Sequence, residues 1–371
     1  MNETLVQDES PTMPEPAPLA RIQLPFEFRG NGAEYFRIWI VNLLLTIVTL
    51  GIYSAWAKVR RLRYFYGNTV LDGHTFDYHG SPLAILKGRL IVFVAYVAFL
   101  LAVQLYPKIA IFVFIPLALF GVPWIVMRSR MFQLRMTSYR NLRFNFLGTY
   151  GGAMAAFIGW YVLTIITLCI LYPIWVCKRV RYSLDNTAYG SQRFSFLTRN
   201  GTYYKFCLIT FALSICGYLV FIYQFVKLPG VRELFYPDVP PPTMLEMVMA
   251  AGPTGWLMIL VAAVVGLGIA GYYQASFANA AFGGTRAGEQ YGRSYLRAWP
   301  LIGIYVSNLF GIIFTLGLFY PWAKVRQTRY HLSNTLIDSD GNLAAFTATS
   351  SAGVDAVGQE VGDFFNVDFG I

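Results

Sequence analysis

The sequence predicts an all-α membrane protein, a polytopic helical bundle with internal repeats and short β-strands at the membrane surface. Of its 371 residues, 56% are hydrophobic and only 13% are charged, whereas about a quarter are charged in an average soluble domain. Apolar stretches long enough to cross a bilayer recur along the chain, and a basic, aromatic motif recurs with them. This composition excludes a water-soluble enzyme.

The two ends of the chain differ from its apolar middle. Residues 1–24 are rich in Pro and acidic residues and lack the basic and apolar regions of a signal peptide, so we expect a disordered N-terminal arm. Residues 338–371 carry six acids and no Lys or Arg, which predicts an acidic C-terminal tail. We therefore expect residues 25–337 to form a single multi-pass membrane domain.

Seven apolar segments lie between these ends. Each is long enough for a helix, at about 1.5 Å per residue, to cross a hydrocarbon core of about 30 Å. The segments are residues 34–57, 88–106, 109–127, 152–177, 203–226, 254–277 and 298–323. Length by itself does not show that each segment crosses.

A motif at the end of three of these segments is repeated. The run TLGIYSAWAKVRRLRYFYGNT at residues 49–69 returns as TLGLFYPWAKVRQTRYHLSNT at residues 315–335, without a gap. A weaker copy, TLCILYPIWVCKRVRYSLDNT, occupies residues 167–187, and a partial copy ends at Thr137. We interpret these copies as internal repeats at about residues 26–75, 76–137, 144–187 and 298–335.

Short strands are predicted beside the motif. The dipeptide Asp72-Gly73 lies between two β-prone stretches, which is a hairpin signal. Aromatic residues alternate in these stretches and before the first segment: Phe26 and Phe28, Phe76 and Tyr78, Phe144 and Phe146, and Phe194 and Phe196. We expect four such strands to pair in a small sheet that gathers the repeats.

The positive charges bear on topology. If all seven segments cross, the better orientation places only 16 of the 29 Lys and Arg residues inside. If segments 34–57, 152–177 and 298–323 enter and leave on one side, 26 are inside, which the positive-inside rule strongly prefers. A Thr-Leu pair followed by Gly or Cys, with Pro173 or Pro321 beyond it in two copies, marks where these helices can break. Three re-entrant or bent segments held by four spanning helices, and seven straight crossings, both remain open.

Several motifs resemble those of a known family. The opening FEFRGNG followed by EYF, the TLG and WAKVR runs, and the ending EVGDFFNVDFG resemble the YjgN-like family of bacterial inner-membrane proteins, grouped as a domain of unknown function. The resemblance covers about residues 24–371 and implies a location in the bacterial inner membrane. It implies no catalytic or binding residues.

The candidate functional residues form a basic and aromatic cluster within the motif. Arg at positions i and i+3 places two guanidinium groups on one helix face, where they suit a phosphate or carboxylate. The cluster comprises Trp56, Lys58, Arg60, Arg63, Tyr64, Asn68, Trp175, Lys178, Arg181, Tyr182, Asn186, Trp322, Lys324, Arg326, Arg329, Tyr330 and Asn334. The alternative is that Trp and Tyr form an interfacial belt while Lys and Arg anchor the topology.

Polar residues inside the apolar segments are a second candidate set. They are Asn42, Thr49, Thr167, Asn308 and Thr315, which occupy equivalent positions in the copies. These side chains are expected either to line a polar path or to form hydrogen bonds between helices. The segments contain no Asp or Glu near their middle, which disfavours a proton-coupled pump.

The sequence contains no recognisable catalytic constellation. His74, His79 and His331 lack metal-ligand spacing. We expect no enzyme activity, no cofactor, no bound metal and no nucleic-acid partner. The leading hypothesis is a channel- or transporter-like protein for an anionic or amphipathic solute or lipid, with membrane lipids and anionic phospholipid headgroups as partners. The alternative is a non-transporting scaffold or envelope-stress protein that binds partners through a basic cytoplasmic face.

Overall fold

The computed structural model describes residues 21–190, 192–226 and 252–340, together with residues 243, 245, 246 and 249. Most of the expected N-terminal arm and C-terminal tail lies outside these residues. The described ends of both are ordered in strands, because the first strand begins at Ile22 and the last ends at Ser339.

The described residues contain ten short strands. They are β1 (Ile22–Phe28), β2 (Thr69–Leu71), β3 (His74–Tyr78), β4 (Thr137–Tyr139), β5 (Leu142–Phe146), β6 (Thr187–Tyr189), β7 (Gln192–Phe196), β8 (Thr285–Ala287), β9 (Gln290–Ser294) and β10 (Thr335–Ser339). Every pairing is antiparallel, and β1 pairs with both β2 and β10. The sheet therefore closes on itself as a ten-stranded barrel.

The closed barrel corrects the predicted fold class. The expectation of an all-α bundle with a small surface sheet was wrong, although the hairpin at Asp72-Gly73 is confirmed between β2 and β3. Strands of three residues are too short to show an alternating pattern. The closing pairing also joins distant residues, since Ile22 lies opposite Ser339. Local sequence carries no signal for such a pairing.

Aromatic side chains fill the barrel. The rings of Phe76 and Tyr139 lie 4.7 Å apart, and those of Phe144 and Tyr189 lie 4.8 Å apart. The Tyr139 hydroxyl donates a hydrogen bond to the Leu71 carbonyl, and the Tyr189 hydroxyl donates one to the Tyr139 carbonyl, both at 2.8 Å. Because these buried hydroxyls have partners, the interior is a packed core.

Helices connect successive hairpins of the barrel. They are α1 (Gly32–Val48), α2 (Ser54–Gly67), α3 (Pro82–Leu105), α4 (Pro107–Arg135), α5 (Tyr150–Met154), a π-helical turn (Ala155–Gly159), α6 (Trp160–Ile166), α7 (Tyr172–Asp185), α8 (Asn200–Phe225), α9 (Pro253–Phe282), α10 (Ala298–Phe314) and α11 (Tyr320–Ser333). We treat α5, the π-helical turn and α6 as one helix, so that the helices form five pairs. The second helix of each pair packs against the first helix of the next, and α11 packs against α1. The helices therefore form a closed ring beside the barrel.

Three of the seven apolar segments are interrupted, as the Thr-Leu pairs predict. Two residues at each interruption have positive φ: Leu50 and Gly51, Leu168 and Cys169, and Leu316 and Gly317. The chain reverses there, so that α1 packs on α2, α6 on α7 and α10 on α11. Both ends of each pair join strands of the same barrel, so none of these three segments is a single straight helix.

Four helices are long and apolar enough to cross a membrane by length and composition. They are Pro82–Leu105, Phe112–Arg135, Asn200–Phe225 and Pro253–Phe282. The helices Tyr150–Ile166 and Ala298–Phe314 are apolar but shorter. At most 11% of each long apolar window is buried within the protein, so their apolar side chains face outward.

Candidate anion-binding site

Three tyrosines of the motif hold the start of the first helix in their own pair. Each hydroxyl lies within hydrogen-bond distance of a backbone group 33 residues earlier: Asn31 for Tyr64, Thr149 for Tyr182 and Arg297 for Tyr330. The Tyr64 hydroxyl accepts a hydrogen bond from the Asn31 N–H and donates one to the Asn31 carbonyl, both at 2.8 Å. Tyr64 and Tyr330 also accept hydrogen bonds from backbone N–H groups at the helix starts, which otherwise lack partners. Tyr182 donates to a carbonyl at the same place.

The motif asparagines close the ends of the second helices. Asn68, Asn186 and Asn334 each donate a hydrogen bond of 2.8 Å from Nδ2 to the carbonyl of the tyrosine four residues earlier. The threonine that follows each asparagine also bonds the carbonyl four residues before it. This pair terminates the helix and starts the strand.

Arginines of the motif join neighbouring helix pairs. Each donates to a backbone carbonyl at or just after the strand that leads into the next pair: Arg63 to Tyr78 at 3.4 Å, Arg181 to Thr198 at 3.3 Å and Arg329 to Gly30 at 2.8 Å. A guanidinium has five N–H donors, so these bonds leave some donors available. Their placement is nevertheless explained by the contact between pairs.

The other cluster residues are dispersed around the ring. Trp56, Trp175 and Trp322 pack against Tyr53, Tyr161 and Phe36, with ring centroids 6.1, 5.2 and 5.0 Å apart. Arg60 donates to the Tyr53 hydroxyl, Arg326 donates to Ser307 Oγ, and Lys178 lies over the Trp160 ring. The structure thus does not bring the motif cations of the three copies into one site.

The predicted intramembrane polar residues fall into two groups. Thr49, Thr167 and Thr315 each bond the carbonyl four residues earlier at the end of a first helix. Asn42 and Asn308 are buried, and the Oδ1 atom of each has no hydrogen-bond partner within the described chain. A buried acceptor without a partner is costly, so these two amides are the better candidates for binding.

Asn42 borders a cavity of about 460 Å³ between α1, α2 and the start of α3. Three cations, Lys58, Arg61 and Arg89, line this cavity, and we call the space defined by these four residues the basic cavity. None of its described lining residues is acidic. A cleft lined by positive charge favours an anion.

The cations of the basic cavity lack anionic partners within the described residues. The ion pairs among the described residues all lie elsewhere. They join Arg29 to Glu27, Arg140 to Asp72, Arg286 to Glu289, and Arg293 to Asp338. Burial lowers the pKa of Lys58, and the charges of Arg89 and Arg61 lower it further. Burial, and next the charge of Arg61, lowers the pKa of Lys324 as well. A bound anion would relieve this repulsion.

An apolar groove continues from the basic cavity. It has a volume of about 510 Å³ and shares Lys58 and Arg89 with the basic cavity. Its apolar lining comes mainly from α3 and α4 and includes Val92, Phe93 and Phe132. Val92 and Phe93 are exposed. The two spaces together match a molecule with an anionic head and an apolar chain.

Sequence reasoning missed two of the three cavity cations. Arg61 lies within the motif, but Gln327 replaces it in the most similar copy. Arg89 lies outside the motif, near the start of α3, and its Nη1 donates to Ser54 Oγ on α2. The three cations within four residues, Lys58, Arg60 and Arg61, were the available signal, and the contribution of Arg89 depends on the helix packing.

The histidines do not assemble a metal site. His74 Nδ1 lies 2.8 Å from the Asp72 carbonyl, and His79 Nε2 lies 2.7 Å from Ser138 Oγ. Burial lowers the pKa of His331, and the charge of Lys324 lowers it further. In the described part of the chain, no group of three His, Cys, Asp or Glu side chains is placed to hold a metal ion.

Comparison with known proteins shows relatives in enteric bacteria. The chain is 24% identical over 365 residues to the inner membrane protein YjgN of Salmonella typhimurium, with 84% of this chain and 88% of the relative covered. It is 27% identical over 236 residues to the inner membrane protein YjgN of Escherichia coli O157:H7, covering 53% of this chain and 59% of that relative. No solved structure matches. A family model described as a bacterial protein of unknown function, DUF898, matches residues 23–364, and the chain belongs to this family.

Proposed function

We propose that this protein is a multi-pass inner-membrane protein that binds an anionic amphiphile and transports it. The names of its relatives and the four long apolar helices support the membrane location. The barrel lies at one end of the helix ring, since every helix pair begins and ends there. With the four long helices spanning the bilayer, the three shorter pairs are re-entrant, and the positive-inside rule places the barrel on the cytoplasmic side.

We further propose that the fold consists of internal repeats. Five helix pairs alternate with five two-stranded units of the barrel. In three pairs, a tyrosine hydroxyl forms a hydrogen bond with the backbone 33 residues earlier. The helix pair between the two bonded residues therefore has the same length in all three. Equal spacing of equal contacts supports a common origin for these pairs. Two pairs lack this tyrosine and contain the four long helices.

The observation that carries the proposed function is the uncompensated charge of the basic cavity beside an apolar groove. Lys58, Arg61 and Arg89 meet there without an acidic partner among the described residues. An arginine fork binds a phosphate or carboxylate through two parallel hydrogen bonds. The exposed Val92 and Phe93 then contact the apolar chain. The proposed function includes no chemical reaction.

Lipid transfer in proteoliposomes tests this proposal. The full chain is reconstituted in phosphatidylcholine vesicles that contain phosphatidylglycerol labelled on one acyl chain, and quenching of the outer leaflet follows the transfer rate. We expect the protein to accelerate transfer and the double variant Arg61→Gln/Arg89→Gln to lower the rate about tenfold or more, because two charge-assisted contacts are lost. Arg29→Gln, which removes an exposed arginine outside the cavity, serves as the matched control.

Two results would contradict the transport function. Wild-type protein that binds the labelled lipid without accelerating its transfer would leave a binding role, as in the scaffold alternative. Equal transfer by wild type and the double variant would show that the basic cavity is not on the route.

A further inference from the structure

A second cavity lies on the inner side of the helix ring. Its volume is about 730 Å³, and it is lined mainly by α4, α7 and α9, with Phe157 from the π-helical turn. These three helices are not neighbours in the ring, because α5 and α6 separate α4 from α7, and α8 separates α7 from α9. A space that they border together therefore lies on the inner side of the ring. We call it the inner cavity.

Two arginines, Arg130 of α4 and Arg179 of α7, line the inner cavity. The Nε atom of Arg179 is buried and has no hydrogen-bond partner in the described chain. Its guanidinium carbon lies 4.7 Å from the Trp175 ring centroid and 5.1 Å from that of Phe157. Cation–π contacts hold a guanidinium in place without using its N–H donors. The Arg179 guanidinium is thus held in place while its N–H donors can still bind a ligand.

The inner cavity has no anionic group among its described lining residues. None of the ion pairs within the described residues includes Arg130 or Arg179. Arg179 is half-buried and Arg130 is exposed. A half-buried cation without a counter-charge pays a desolvation cost, and a second cation that lines the same cavity adds repulsion. An anionic ligand compensates both costs.

Neutral hydrogen-bonding groups complete the lining. Ser129 and Gln133 lie one turn apart on α4, on either side of Arg130. Both residues also line the apolar groove, so the groove and the inner cavity meet along this part of α4. The groove therefore adjoins the basic cavity on one side and the inner cavity on the other, through shared lining residues.

From this arrangement we propose that the inner cavity is a second anion site, separate from the basic cavity, that binds a phosphate group through Arg130 and Arg179. Two guanidinium forks supply several N–H donors, and Ser129 and Gln133 supply neutral ones. A tetrahedral phosphate uses donors that converge from several directions. Apolar residues such as Val176 and Phe277 also line the cavity, which accommodates the carbon skeleton of an organic phosphate. Binding here does not depend on the proposed transport.

Equilibrium binding to the purified full chain in detergent tests this proposal. Two probes are titrated calorimetrically, inorganic phosphate and a short-chain phosphatidic acid, because the phosphate could belong to a free ion or to a lipid headgroup. We expect Arg179→Gln and Arg130→Gln each to weaken binding about ten- to hundredfold, the loss associated with a charge-assisted contact. Arg143→Gln, an exposed arginine on β5, is the matched control and should bind as wild type does.

The variants also separate the inner cavity from the basic cavity. We expect Arg61→Gln/Arg89→Gln to retain phosphate binding at Arg130 and Arg179. Loss of all binding in that variant, with wild-type affinity in Arg179→Gln and Arg130→Gln, would overturn the proposal. Failure of the wild type to bind either probe would also overturn it. Binding of the lipid probe only identifies a headgroup, and binding of both identifies the phosphate itself.

Folding controls accompany the titrations. The thermal unfolding midpoint of each variant is measured in the same detergent. Arg179→Lys keeps the charge but removes the fork, so we expect an affinity between those of the wild type and Arg179→Gln. If Arg179→Gln does not fold, Arg130→Gln decides the question alone, since wild-type affinity there would contradict the site.

Discussion

The guanidinium of Arg329 donates a hydrogen bond of 2.8 Å to the carbonyl of Gly30, although 299 residues separate the two in the chain. This bond joins the last helix pair to the first and so closes the ring. The equivalent arginines, Arg63 and Arg181, make corresponding contacts to the pair that follows each of them. The recurrence of arginine before tyrosine therefore has a structural reason, independent of any ligand.

Loss of the Arg329 contact should weaken closure of the ring. We expect Arg329→Met, which keeps an apolar stem but no donors, to lower the free energy of unfolding by about 1 kcal/mol, the usual net value of such a hydrogen bond. Chemical unfolding in detergent measures the difference. Arg29→Met, which removes an arginine paired only with exposed Glu27, should change stability little. Equal stability of both variants would show that ring closure does not depend on this bond.

Gly32 marks a close approach between the first and last helix pairs. A Cβ atom there would lie 2.3 Å from Cδ1 of Trp322, so Gly32→Ala should destabilise the protein by about 1–3 kcal/mol through overpacking. Gly201, near the start of α8, has nothing within 4 Å of such an atom. Gly201→Ala should instead stabilise by up to about 1 kcal/mol, because alanine favours a helix. Thermal unfolding of the two variants compares them, and a stabilised Gly32→Ala would contradict the packing of α1 on α11.

The turns of the interrupted segments predict a reciprocal pair of substitutions. Gly317 has φ of +93°, and Cys169, at the same place in another turn, has φ of +68°. Side chains strain a left-handed backbone by about 1–2 kcal/mol. We therefore expect Gly317→Ala to lower the free energy of unfolding by about that amount and Cys169→Gly to raise it by about 1 kcal/mol. A change of the same sign in both variants would count against this explanation.

The lowered pKa of Lys58 predicts a dependence on pH. Burial and the charges of Arg89 and Arg61 mean that folded Lys58 loses its proton at a lower pH than an unfolded lysine. Between these two pKa values the unfolded chain binds more protons, so the free energy of unfolding of the unliganded protein should rise with pH. Affinity for an anionic lipid should fall over the same range, because the site loses a positive charge.

Titration of the Lys58→Arg variant checks this prediction. Arginine stays protonated throughout. The contribution of Lys58 to the pH dependence of the free energy of unfolding, and to that of the lipid affinity, should therefore disappear. Lipid binding and unfolding are measured across the alkaline range below the ordinary lysine pKa. If both pH dependences persist unchanged in Lys58→Arg, another group causes them. Lys324, whose pKa is also lowered, would then be tested next.

Local features of the fold were predictable because they depend on neighbouring residues. The Asp72-Gly73 hairpin follows from turn chemistry. Two of the three breaks contain a glycine, Gly51 or Gly317, that tolerates positive φ. The four long helices lie in four of the seven apolar segments, but apolar length did not distinguish these from the three segments that are interrupted.

Some residues of the candidate site were identified from the sequence, whereas their arrangement depends on the tertiary structure. Lys58 was identified because it belongs to a recurring motif, and Asn42 because an amide is rare in an apolar segment. Their proximity to Arg89 depends on how α3 packs against α2. The motif also attracted attention to Tyr64 and Asn68, whose side chains bond backbone groups of the helix ends. Recurrence in sequence did not distinguish these structural uses from binding.

The sequence by itself determined that the chain is apolar enough for a membrane, that a hairpin lies at Asp72-Gly73 and that three apolar segments can break, since composition and local backbone preferences govern these properties. Only the tertiary structure decided that ten short strands close into a barrel and which cations share a cavity. The physical reason is that these contacts join residues that are far apart in the sequence. A pairing such as Ile22 with Ser339, or the meeting of Arg61 with Arg89, is stabilised by packing of the whole ring, and no local preference encodes it.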